Sequence, residues 1–120
     1  MTERTSWDRD AALQSVDGDC ELLVEMAGLF LQDSAMLLDD IGQAIQAGDA
    51  AGLHRSAHTL KGSVANFAAE EAYQTALQLE QIGKSGDLTA APSRYAALVE
   101  AIHRVDAGLA EFAGAALVAH

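Results

Sequence analysis

"DAAGLHRSAHTLKGSVANF", residues 49–67, carries an apolar side chain at positions 53, 57, 60, 64 and 67. Alternating steps of four and three residues trace one face of an α-helix, so Leu53, Ala57, Leu60, Val64 and Phe67 form an inward seam. Asp49 stands where an N-cap belongs. At about 100° per residue, His58 falls about 140° from the centre of that seam, on the outward face. Ala51 and Ala65 lie nearly in line with it, Gly62 sits one turn on, and Lys61 comes on the core-ward flank. The imidazole is thus ringed by very small side chains. A glycine inside a helix costs about 1 kcal/mol relative to alanine, and Gly62 finds its reason in the close approach of another body to His58.

The neighbouring segments have the same period. From about Asp19 to Ala47, Leu23, Ala27, Phe30, Leu37, Ile41 and Ala44 make the stripe of a long helix, with Ser34 filling the gap, Asp19 as cap and Gly48 as stop. A second row, Leu22, Leu29 and Met36, repeats every seven residues, which predicts cover on a second side. A short amphipathic helix around Trp7 to Val16 is the expected cover. A third helix spans about Glu70 to Lys84, with Ala72, Ala76 and Leu79 inward, and ends at "KSGDL". The last runs from about Thr89 to Ala115 through Tyr95, Leu98, Ile102, Val105, Leu109 and Phe112, with Pro92 tolerated in its first turn. Four long helices with short connections predict an all-α, antiparallel up-down four-helix bundle with a short extra N-terminal helix. The bundle core is expected over about 19–115, within a single domain of residues 1–120.

Composition agrees and narrows the function. Half of the 120 residues are hydrophobic, there is one proline, and strand-type clusters are lacking. Seven Lys and Arg against eighteen Asp and Glu give a formal charge of -11, which disfavours nucleic acid and anionic membrane as partners. The lone Cys20 excludes an intrachain disulfide, and "MTERTSWDRD" lacks the order of a secretory signal, so a cytoplasmic location is expected. The apolar "AGAALVAH" at the end is far below the roughly 20 residues of a membrane span.

An exposed histidine with a lysine one turn away suits phosphoryl transfer. A neutral imidazole attacks phosphorus through Nε2 without a general base, and the ammonium neutralises the bound group. No GxxxxGK[ST] loop and no kinase Gly-rich loop is present, so nothing in the chain would bind and activate ATP. The phosphoryl group must arrive ready-made. With one nearby lysine and no cluster of aspartates, the other protein must bring the Mg²⁺ and most of the catalytic groups.

"AHTLKGSVANF" resembles the His-x-x-Lys-Gly motif of histidine-containing phosphotransfer (HPt) domains. Upstream, the long helix and the Gly-Asp turn before the histidine are similar to that family, and "ALQLEQIGKSGDL" is similar to its Leu-Glu and Gly-Asp-Leu turn. The likeness runs from about Asp8 to Leu88 in motifs and beyond in helix pattern. It implies a phosphorelay intermediate that takes a phosphoryl group from the aspartyl phosphate of one receiver domain and passes it to the aspartate of another. The expected partners are receivers of response regulators or hybrid sensor kinases. By this resemblance His58 is the phosphorylated residue, Lys61 steadies the phosphoryl group, and Gly62 leaves room for the receiver. Glu80 would hold the other imidazole nitrogen, with Gln81 as the alternative. Ala51, His54, Arg55 and Ala65 form the rim, and no cofactor is expected on this chain. A monomer is expected, since a second copy over the histidine would block transfer.

One departure from the family stands out. Ala68 occupies the region after "ANF" where the family usually has glycine, and a left-handed alanine there costs about 1 kcal/mol. Two rival readings are open at this level. His54 and His58, four apart, have the spacing of metal ligands but need a third, for which Glu80 is the nearest candidate. A bundle that binds partners without chemistry is the other. His103 and His120 read as incidental.

Overall fold

The computed structural model describes residues 6–118. Five helices follow in order: α1 (Arg9–Ser15), α2 (Cys20–Ala47), α3 (Ala50–Ala65), α4 (Glu70–Ser85) and α5 (Ala91–Val118). The four long helices pack as a ring in which α2 meets α3, α3 meets α4, α4 meets α5, and α5 returns to α2. His120 lies outside the described residues.

Caps and turns fall where the sequence puts them. The carboxylates of Asp19 and Asp49 accept from the Leu22 and Gly52 amides at the starts of α2 and α3. Gly48 ends α2 at φ 67° and Gly86 ends α4 at φ 82°, the left-handed conformation that glycine adopts without a Cβ clash. The tight turn between α3 and α4 has no glycine. Ala68 takes φ 50° there, so the alanine bears the strain that the sequence anticipated.

The core holds Leu23, Ile41, Leu53, Leu60, Val64, Phe67, Leu79, Leu98, Ile102, Val105 and Leu109, all essentially inaccessible. Two expectations for α2 need correction. The inward stripe passes through Leu38, not Leu37, because Ser34 occupies a seam position itself and the row steps by four on either side of it. Ser34 is buried and donates to Asp106 Oδ2 of α5 at 2.9 Å. The second row is not core: Leu22, Leu29 and Met36 are 40%, 60% and 60% exposed. α1 makes only a slight contact with α2, and the aromatic anchor before it, Trp7, packs edge-on against Phe67 and Phe112. Nothing in the described N-terminal segment covers Leu29 or Met36. Leu29 instead borders a groove between α2 and α3 with Met26, Phe30, Asp33 and Leu37 on one wall and Ser63, Asn66 and Phe67 on the other.

Tyr95 is also less inward than its heptad position suggests. It is half-buried, and its hydroxyl donates to the Leu38 carbonyl at 3.1 Å, which satisfies the polar tip where the ring crosses Gly42.

Candidate functional site

His58 stands on the outward face of α3 with 65% of its side chain exposed. Its Nδ1 lies 2.9 Å from Oε2 of Glu80, one helix over on α4. A carboxylate accepts only, so Nδ1 carries the proton and donates it, which leaves the lone pair on Nε2 at the free side of the ring. Of the two candidates for this contact, the helix register selects Glu80; Gln81 is exposed and lies on the outer groove toward α5.

The second oxygen of Glu80 is enclosed, and the Lys61 ammonium sits 2.6 Å from it as an ion pair. Lys61 is only 18% exposed, because it reaches across to α4 and lies 6.0 Å from the Tyr73 ring centroid. The contact with Glu80 raises the lysine above its ordinary range, and the same contact, followed by burial in the opposite sense and the His58 hydrogen bond, holds the Glu80 carboxyl below its own. In this state Lys61 is turned toward Glu80. One carboxylate thus orients both the histidine and the lysine.

The other site residues fall as follows. Ala51, Arg55, Gly62 and Ala65 are exposed on α3, and His54 is half-buried beside His58. A Cβ at Gly62 would meet nothing within 4 Å, so no internal contact demands a glycine there. The sequence reading missed two residues. Tyr73 shelters the lysine, and its position seven residues before Glu80 on α4 was the available signal. Gly83 was invisible: a Cβ there would lie 2.6 Å from the His54 amide nitrogen and 2.8 Å from the Ala50 carbonyl, so only glycine lets α4 come close enough to bring Glu80 to His58.

Among the described residues, no group of three His, Cys, Asp or Glu side chains is arranged to hold a metal ion. Glu80, the third ligand that a metal site would need, is engaged by His58 and Lys61. Among the described residues, no helix is long and apolar enough to cross a membrane.

A helical bundle that presents one exposed, carboxylate-backed histidine has the architecture of a phosphotransfer module, and the comparisons with known proteins agree. The family model of the Hpt domain matches residues 25–108, and the chain belongs to that family. Its structure is similar to the crystal structure of histidine-containing phosphotransfer protein B (HptB) from Pseudomonas aeruginosa PAO1, with a TM-score of 0.84 and 26% identity over 93% of this chain and 97% of that one. No curated protein matches the chain in a sequence comparison. The role of a phosphorelay intermediate, acting with receiver domains, follows from family and fold together.

Proposed function

We propose that His58 is the residue that carries the phosphoryl group, taking it from the aspartyl phosphate of one receiver domain and giving it to the aspartate of another. The hydrogen bond from His58 Nδ1 to Glu80 Oε2 carries this reading. His54 is the natural competitor, but its Nδ1 rests on a neutral backbone carbonyl, whereas that of His58 rests on a charged carboxylate. The charged partner favours the ring that must become positive.

In the forward step the Nε2 lone pair of His58 attacks phosphorus while the bond from phosphorus to the aspartyl oxygen breaks, and its electron pair returns to the receiver's carboxylate. The product ring keeps its Nδ1 proton and is cationic, and the Glu80 carboxylate neutralises that charge. Lys61 exchanges Glu80 for the phosphoryl oxygens once they arrive. Return transfer reverses each change. The receiver supplies Mg²⁺ and the remaining groups, since phosphoryl transfer is catalysed chiefly by positioning and charge. Gly62 and the small side chains of Ala51 and Ala65 admit it, and the exposed Arg55 belongs with His54 to the rim. The receivers belong to response regulators or hybrid sensor kinases, and the protein acts as a cytoplasmic monomer without a cofactor of its own.

The test is to mix the protein with a panel of phosphorylated receiver domains and follow its intact mass beside His58→Gln. One phosphate that is labile in acid, stable in alkali and missing from the variant is the expected result. Transfer to both proteins alike would remove His58 from the role, and transfer to neither would return the bundle to a binding module.

A further inference from the structure

Charge in this chain is sorted by helix. α2 carries five carboxylates, Glu21, Glu25, Asp33, Asp39 and Asp40, and no lysine or arginine. α3 is the reverse, with Arg55 and Lys61 beside its two histidines and no carboxylate. α4 adds Lys84, one turn past Glu80 on the same face, and the close approach of Gly83 to the backbone of Ala50 and His54 keeps it beside α3. Both lysines of the chain therefore belong to the α3–α4 face that bears His58. The cations differ in what they meet. Arg104 is paired with Glu71, Arg94 is bonded to Gln78, Arg9 lies over the Phe112 ring, and Lys61 is held by Glu80. Arg55 and Lys84 are exposed, and among the described residues neither side chain has a hydrogen-bond or ion-pair partner. In a chain of formal charge -11, two uncompensated cations at the reacting histidine are a local reversal of sign.

We propose that Arg55 and Lys84 form an electrostatic landing site that selects receiver domains with an acidic surface around the aspartyl phosphate. The inference rests on His58 as the phosphoacceptor and adds the chemistry of the partner. Glu80 is the carboxylate that faces this site from α4, and Lys61 already neutralises it. At physiological salt, charges act over about 8 Å, so the part of a partner that lies over His58 senses Arg55 and Lys84 more than the acids of α2. The aspartyl phosphate brings negative charge to Nε2, and carboxylates around it meet one cation on α3 and one on α4. Such a surface is drawn in and oriented, and a receiver with a basic rim is repelled. Both side chains stay solvated, so their effect falls on the rate of encounter, where salt weakens it most.

The experiment follows transfer to His58 by rapid quench, at subsaturating concentrations of the phosphorylated receiver that reacts fastest in the panel, from about 20 mM to about 0.5 M salt. It compares the native chain with Arg55→Gln, Lys84→Gln, the double variant and Arg94→Gln, whose residue meets α4 at Gln78 on the side away from Glu80. At low salt the second-order rate should fall roughly threefold in each of the first two and roughly tenfold in the double variant. Lys84→Arg should restore it, and at the highest salt all rates should converge to within roughly twofold. Arg94→Gln, which removes the same charge elsewhere, should follow the native chain. Equal rates in all variants at low salt, a loss that persists at high salt, an equal loss in Arg94→Gln, or faster transfer in the double variant each overturn the landing site and spare the function. Phosphate taken up equally by His58→Gln, or by neither protein, overturns the function on which it rests.

Discussion

Oε2 of Glu80 stands 2.9 Å from Nδ1 of His58, so a residue twenty-two positions along the chain sets which ring nitrogen is free to react. Glu80→Gln keeps an acceptor oxygen at Nδ1 but removes the charge that steadies the cationic phosphohistidine and releases Lys61. Transfer from a phosphorylated receiver should slow about tenfold, and Glu80→Ala, which also frees the tautomer, should slow it further. Rapid-quench kinetics with the variants decide this; equal rates in all three proteins would leave Glu80 a structural residue.

Gly62 and Gly83 make opposite predictions from the same substitution. Gly62→Ala adds a methyl into open space and improves helix propensity, so it should raise stability by about 0.5–1 kcal/mol while slowing transfer from a receiver. Gly83→Ala drives a methyl into the backbone of α3 and should cost about 1–3 kcal/mol, with transfer falling as Glu80 is carried away from His58. Urea titration and transfer kinetics on both variants separate access from packing.

Ala68 holds φ 50° in the α3–α4 turn. Ala68→Gly should relieve that strain and raise the melting temperature by about 2–4 °C, with transfer rates intact. Calorimetry checks the first part, and a large loss of transfer would mean that the turn also shapes the site.

Asp106 and Glu80 make opposite contributions to the pH dependence of stability. Burial between α2 and α5 holds the Asp106 carboxyl above the usual range, against the pull of Ser34 and of His103. Its folded-state value exceeds the unfolded one, so the contribution is full in acid and lost as pH rises through the raised value. Asp106→Asn, which keeps an acceptor for Ser34, should therefore raise the melting temperature by about 2–4 °C at neutral pH and bring little gain near pH 4. Glu80 is held low, chiefly by Lys61, and its contribution is present at neutral pH and lost as acid protonates it. Melting curves of the native chain and Asp106→Asn across pH test the sign.

Much of this was legible in the sequence, because helix period, caps and the His-x-x-Lys-Gly spacing are local signals. The starts at Asp19 and Asp49, the stop at Gly48 and the outward place of His58 all follow from neighbours a few residues away. What escaped depends on contact between helices. Leu22, Leu29 and Met36 have the spacing of a buried row, yet only the path of Trp7 toward Phe67 and Phe112 determines that α1 leaves Leu29 and Met36 open. The approach at Gly83 and the shelter of Lys61 by Tyr73 likewise join positions on separate helices, which no period encodes.

Trp7 is the single tryptophan of the chain, buried against Phe67 and Phe112, with the amide of Asp8 bonded to the Phe67 carbonyl. Phe67 is nine residues past His58, roughly 13 Å along the helix direction. The chain thus contains its own optical probe, set where it senses whether the bundle end is closed and distant from the phosphoryl chemistry. Its emission should report unfolding with one wavelength shift, and should stay nearly still while His58 gains and loses its cargo.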